Sequence, residues 1–331
     1  MHPLRTLGRT GLKVTRLGLG LAALGRPGYI NLSHSDDLPG TEVSAMEQHA
    51  HKVLDAAWEA GIRYFDAARS YGRAEEFLGS WLRARGIPPA AVTVGSKWGY
   101  TYTANWQIDA DQHEVKEHSI EVLNRQWQES QANLDHHLDL YQIHSATLDS
   151  GVLTNHAVLA RLAEIKLNGT AVGFSASGPN QAQIIEEALS ISVDGARLFD
   201  EVQVTWNVLE PSTSAVLAQA HRDGVGIIVK EAVANGRLTT SNNDPDFAAQ
   251  RAVLEQQAQR LDTTLDGLAI AAVLAQPWAD VVLSGAARVD HLQSNIAALN
   301  VRWDEEAAQA LAALAEKPDV YWSRRSDLAW N

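Results

Sequence analysis

Hydrophobic positions along the chain follow two alternating periods. Short runs rich in β-branched and aromatic residues are each followed by a longer stretch whose apolar residues recur every three or four positions. An opening hairpin is expected over residues 4–15, and the first strand at TRLGLGL (15–21). The next stretch carries Met46, Ala50, Val53, Leu54 and Ala57 at i, i+4, i+7, i+8 and i+11, one stripe of a helix that Gly61 ends. IRYFDAA (62–68) is the second strand. The others are predicted at AVTVGSKW (91–98), LDLYQIHS (138–145), TAVGFSAS (170–177), EVQVTW (201–206), VGIIVKE (225–231) and ADVVLSG (279–285), with helical patterning between them.

Eight strand–helix repeats predict a parallel sheet with helical crossovers. No dinucleotide fingerprint loop follows any strand, which favours closure into a barrel over an open doubly wound sheet. The expected fold is therefore α/β, a (β/α)8 TIM barrel with an N-terminal β-hairpin and an extra C-terminal helix (304–316) and tail, one domain over residues 1–331. Residues 232–262 read as a long polar connection after strand seven, and 33–42 (SHSDDLPGTE) as a loop over the barrel mouth.

Composition narrows the function classes. The formal net charge is −13, which opposes binding to nucleic acid or an anionic membrane. With no cysteine there is no disulfide, no thiolate metal site and no cysteine nucleophile. No apolar run is long enough for a transmembrane helix, and the first residues lack a signal-peptide pattern. A cytoplasmic monomer acting on a small molecule is expected, with no metal.

In such a barrel, chemistry collects at the C-terminal ends of the strands. Strand two ends in Asp66, with Tyr71 in the loop after it; strand three ends in Lys97 and strand four in His144. Each has an ordinary alternative: a helix cap, a rim aromatic, a snorkelling lysine, a hydrogen-bonded core histidine. Together they form a constellation, because a lysine after the apolar run AVTVGS needs a partner and Asp66 stands one strand away. An ammonium near Tyr71 is expected to lower the tyrosine's pKa and make it a proton donor to a carbonyl oxygen. A neutral His144 can orient that carbonyl. An acid with neither nucleophile nor metal suggests proton transfer coupled to hydride transfer from a cofactor.

The segments FDAARSYG, VTVGSKWG and DLYQIHS resemble the aldo-keto reductase signatures around the catalytic Asp, Tyr, Lys and His, in the family's order. The resemblance runs from LGRTGLKVTRLGLG to LSGAARVDHLQSNIAAL. It implies a barrel that binds NADP(H) or NAD(H) in extended form and reversibly reduces a carbonyl, or oxidises an alcohol or sugar, with Asp66, Tyr71, Lys97 and His144 catalytic. It further implies that Gly20, Leu21 and Asp66 line the nicotinamide ribose, and that Ser175 and Gln203 hold the carboxamide. Ser284, Gly285, Ala286 and Asn295 match the adenosine and phosphate segment. The resemblance also admits a cofactor-binding regulatory or redox-sensing protein with negligible turnover.

Three positions depart from the family. Ala176 replaces an Asn after Ser175, leaving Ser177 to supply that bond. Lys230 stands where an aromatic ring commonly stacks on the nicotinamide. The strand-eight loop offers Arg288 as its only arginine, which leaves NADP(H) and NAD(H) both open unless Arg237 contributes. Trp98, Tyr100 and Trp206 are expected to wall the substrate pocket.

Overall fold

A computed structural model gives the structure of residues 3–32, 37–38 and 40–330. Eight parallel strands close into one barrel: β1 (Leu17–Gly20), β2 (Tyr64–Asp66), β3 (Thr93–Trp98), β4 (Leu138–Ala146), β5 (Ala171–Ala176), β6 (Glu201–Thr205), β7 (Gly226–Lys230) and β8 (Val281–Ser284). Each pairs with its neighbour in sequence, and β8 pairs back onto β1, so β4 and β8 stand on opposite sides of the ring. The expected barrel is the observed one.

The outer layer is α1 (Val43–Glu59), α2 (Ala74–Arg85), α3 (Ile120–Leu134), α4 (His156–Leu167), α5 (Gln181–Ser190), α6 (Ser214–Arg222), α7 (Ala248–Arg260), α8 (Leu265–Leu274) and α9 (Val289–Ala297). After it come α10 (Glu305–Ala312) and α11 (Pro318–Ser326). α1 buries the predicted stripe of Met46, Ala50, Val53, Leu54 and Ala57. Ser119, Asn155 and Thr264 cap α3, α4 and α8, each accepting an N–H three residues on at 3.1–3.3 Å, an arrangement worth about 1 kcal/mol per helix. The N-terminal hairpin, Arg5–Thr6 with Lys13–Val14, plugs the barrel floor. It sets Leu7 and Val14 against Tyr64, Leu140, Ile228 and Val281. Its turn has Gly8 at φ +49, where a Cβ would run into the backbone of Gly226, so only glycine fits.

Three elements differ from the sequence reading. The connection at 232–262 contains α7, a full helix. Its sequence AAQRAVLEQQAQR has no apolar stripe, and it buries only Leu254, Gln257 and Ala258. Leu254 and Ala258 join the core cluster formed with Leu265, Leu268, Ala307 and Leu311, and Arg260 adds two exposed bonds of 2.7 Å to Asp304. An antiparallel hairpin, Tyr100–Tyr102 with Glu114–Lys116, rises after β3. The tail is also helical: α11 starts at Pro318, buries Tyr321 and Trp322, and lies against the barrel mouth. Of the 33–42 loop, residues 33–36 and 39 lie outside the described residues, while Asp37 lines the cavity at the mouth.

Candidate active site

At the C-terminal end of the strands lies a cavity of about 750 Å³. Asp66, Tyr71 and His144 line it, and Lys97 lies directly beneath. The barrel register explains the convergence. Asp66 closes β2 opposite Gly95, and Lys97, two residues further along β3, points to the same side of the sheet. The buried Lys97 Nζ bonds Asp66 Oδ2 and donates to the Ala67 carbonyl at 2.9 Å. Asp66 Oδ1 accepts from Gln203 at 2.8 Å and from the Tyr64 hydroxyl at 3.2 Å. The carboxylate is therefore held on both oxygens.

Tyr71 and His144 meet edge to face at 5.5 Å between ring centres, and Lys97 Nζ is 5.0 Å from the Tyr71 ring centre. Burial lowers the His144 pKa well below its ordinary value, and the charges of Lys97, Lys230 and Arg26 add to this, so the ring is neutral. Its Nδ1 lies 3.3 Å from the Ser70 hydroxyl. A hydroxyl donated to Nδ1 leaves the ring proton on Nε2. For Tyr71 the expected lowering is absent. Burial raises its pKa, the Asp66 charge raises it further, and Arg26 only partly opposes them. The Lys97 charge is engaged by Asp66. Tyr71 is consequently a protonated phenol throughout the neutral range.

Several predicted residues do line the cavity: Gly20, Gln203, Lys230, Ser284, Gly285, Ala286 and Asn295, with Tyr100 on the substrate side. Others do not. Trp98 follows Lys97 on β3, so strand alternation turns it outward, where it packs edge-on to His118 at 5.5 Å. Trp206 packs against Trp278 at 5.5 Å and donates to Ser214 Oγ at 2.9 Å. Both are core residues rather than pocket walls. The Leu21 side chain is buried in the hydrophobic core, and Ala22 and Ala23 take the wall beside Gly20. Ser175 is buried with its hydroxyl accepting the Ser145 N–H at 2.8 Å, while Ser177 reaches the cavity. Arg288 lies off the wall, held by Asp290 at 3.0 and 2.7 Å, and Arg237 is paired with Glu316.

The structure also brings to the cavity residues outside the expected site set, Arg26, Glu114, Glu231 and Arg325 among them. Arg26, buried beside the mouth, donates to the Ser70 carbonyl at 2.9 Å and to Glu114 at 3.0 Å, with its guanidinium 5.5 Å from the Tyr71 ring centre. Arg325 of α11 reaches back to Glu231, just after β7, with Nε bonds of 3.0 and 3.1 Å. Glu231 also accepts from Thr205 at 3.0 Å, and Thr205 accepts from Lys230 at 2.6 Å. Burial alone would raise the Glu231 pKa. The charges of Arg325 and Lys230 outweigh it and hold the carboxyl at about 2. Burial likewise brings Lys230 down to about 8, although Glu231 opposes this.

A buried, protonated tyrosine, a neutral histidine and a lysine–aspartate pair at one cavity is an arrangement that can move a proton to or from an oxygen. The family model described as the aldo/keto reductase family matches residues 16–316. The chain belongs to the aldo/keto reductase family. That family comprises carbonyl-reducing oxidoreductases that use nicotinamide cofactors. Among its relatives, the uncharacterized oxidoreductase YqkF of Bacillus subtilis is 28% identical, over 97% of this chain and 99% of its own. The pyridoxal 4-dehydrogenase of Microbacterium luteolum is 26% identical, over 96% and 95%. In structure, an aldo-keto reductase of Bacillus halodurans, solved in its holo form, shares the fold with a TM-score of 0.74 at 23% identity, over 96% of this chain and 97% of that one. Among the described residues no helix is long and apolar enough to cross a membrane.

Proposed function

We propose that this aldo/keto reductase reduces an aldehyde or ketone, or oxidises the corresponding alcohol or aldose, with Tyr71 as the acid or base and NAD(H) as the preferred cofactor. The observation that carries the reading is the facing of Tyr71 and His144 across the cavity, directly above the Lys97–Asp66 pair. The lining suits such a cofactor. Gln203 and Ser177 offer amide and hydroxyl groups for a carboxamide at one end, and Ser284, Gly285 and Ala286 offer a short polar loop for the adenosine half at the other.

When bound, the nicotinamide supplies or accepts the hydride at the substrate carbon. The chain's own groups handle the oxygen. His144 Nε2–H and the Tyr71 hydroxyl bind the carbonyl oxygen and fix its direction. As negative charge gathers on that oxygen, Tyr71 gives up its proton, and Lys97 limits the cost of the phenolate left behind. Asp66 holds Lys97 in place. In oxidation the same phenolate takes the proton from the alcohol.

The cofactor preference follows from charge. Asp37, Asp266 and Asp290 line the β8 side of the cavity, His291 faces Asp37 at 3.6 Å, and Arg288 is taken up by Asp290. A 2′-phosphate dianion would face carboxylates there, whereas a free ribose diol can donate to one.

Fluorescence titration with NADH and NADPH, followed by turnover of a neutral aldehyde such as butanal, tests the reading. NADH should bind at least about tenfold more tightly, a difference of 1.4 kcal/mol. Tyr71→Phe should lower kcat by roughly 10²–10⁴ while NADH still quenches protein fluorescence. Full turnover in that variant would remove Tyr71 as the acid, and tighter NADPH binding would overturn the cofactor assignment.

A further inference from the structure

The wall of the cavity around Tyr71 and His144 has a charge opposite to that of the molecule. The whole chain carries −13, yet among the described residues this wall presents Arg26, Lys116, Lys230 and Arg325 against Glu114 and Glu231, with Asp66 neutralised by Lys97. Three of the four cations are engaged. Arg26 is paired with Glu114, Arg325 with Glu231, and Lys230 bonds Ser177 and Thr205 beside Glu231.

Lys116 is different. It ends the second strand of the hairpin after β3, is half-buried, and donates to the Thr147 hydroxyl at 3.0 Å. Among the described residues it sits in no ion pair, and Asp149 acts on it only at longer range. Its Nζ is 5.7 Å from the Tyr100 ring centre, and Tyr100 in turn lies 4.9 Å from His144. A cation drawn partly out of water without a carboxylate partner is costly unless something anionic completes it.

The cofactor is not well placed to be that anion. Thr147, Lys116's partner, directly follows β4, whereas the loop assigned to the adenosine half follows β8 on the opposite side of the ring. The space beside Lys116 is on the substrate side, next to Tyr100 and His144.

We propose that the substrate is an anionic carbonyl compound, or the matching alcohol, whose carboxylate or phosphate is bound by Lys116 beside the Tyr71–His144 pair. Lys116 then selects among carbonyl compounds, while Tyr71 and His144 act on the carbonyl oxygen whatever the substrate. The inference rests on the hydride-transfer reading above.

Two matched pairs of substrates test it, with NADH-loaded protein. Butanal against 4-oxobutanoate reports a carboxylate, and glyceraldehyde against glyceraldehyde 3-phosphate reports a phosphate. In the wild type the charged member of at least one pair should have a kcat/KM about tenfold or more above its neutral partner, the size expected of one charge-assisted hydrogen bond. Lys116→Met should bring that ratio close to one through KM, and Lys116→Arg should retain most of it. If Lys116→Met does not fold, the wild-type salt dependence still decides. The KM of the charged substrate should rise with ionic strength and that of the neutral one should not. Neutral aldehydes turned over with no preference for either charged partner, or a preference that survives Lys116→Met, would overturn the inference and leave the reaction standing. Turnover of none of the four would instead strike at the hydride-transfer reading itself.

Discussion

Two buried ion pairs border the same cavity, and they are assembled in different ways. Asp66 and Lys97 come from adjacent strands, so the barrel's own hydrogen-bond register brings them together. Glu231 and Arg325 come from the end of β7 and from α11, and they meet only when the C-terminal helix docks. One pair is part of the scaffold and the other is a latch on it. Lys97 and Asp66 are fully enclosed, whereas the Arg325 side chain keeps 25% of its surface exposed: the first pair should fail only with the barrel, the second by itself.

The largest expected effect comes from breaking the scaffold pair. Lys97→Met leaves Asp66 buried without its cation and should cost about 3–5 kcal/mol of stability in urea unfolding. It should also remove turnover, since Tyr71 loses its support. A Lys97→Met protein with near-normal kcat would show that the pair is structural only.

Arg325→Met addresses the latch. Roughly 3 kcal/mol should be lost here too, but as local release. Amide exchange should accelerate across α11 while the barrel strands keep their protection. If β7 and β8 open together with α11, the distinction between the pairs fails. Acid should mimic the substitution. The folded-state pKa of Glu231, about 2, lies below its ordinary 4.5. The carboxylate therefore stabilises the fold above about pH 4.5, and the contribution is lost as pH falls toward 2. In Glu231→Gln this pH-dependent part of α11 protection should be missing.

Asp139 supplies the smallest effect and a reference for both pairs. It accepts the Val94 N–H at 2.9 Å but has no lysine or arginine partner, and burial raises its pKa to about 6. Here the sign reverses. A raised carboxyl is a cost above about pH 6 that disappears below its ordinary value of 3.8. Asp139→Asn should therefore be slightly more stable than wild type at pH 7, with no advantage below pH 4. Thermal melts at the two pH values measure it, and an advantage that does not shrink in acid would refute the assignment.

The same contrast explains what the sequence made legible. Strand ends are fixed by the periodicity of the barrel, so Asp66, Lys97 and His144 could be placed from pattern alone, as could the buried stripe of α1, whereas Gln203, in mid-strand, came only from the family resemblance. Strand alternation was legible as well, but the outward turn of Trp98 follows only once Lys97 is known to point inward. Arg26 and the pairing of Arg325 were hidden because loops and tails have no period, and their partners Glu114 and Glu231 lie far away in sequence. α7 was hidden for a different reason: it buries only Leu254, Gln257 and Ala258, too few apolar residues to make a stripe, so its sequence reads as polar connection. The raised pKa of Tyr71 could not be read either, since it depends on how completely the site is closed to water.

The docking of α11 also fixes an order of events when the chain is made. All four residues assigned to the proton-moving group have left the ribosome by the time His144 has, while the second half of the barrel does not yet exist. Arg325 follows only after β8 and two further helices, α9 and α10, near the end of α11. A nascent chain can thus complete the ring while Glu231 at its mouth still lacks the guanidinium that stabilises its charge. The mouth is finished last, so the walls that would choose a substrate mature later than the groups that would act on it.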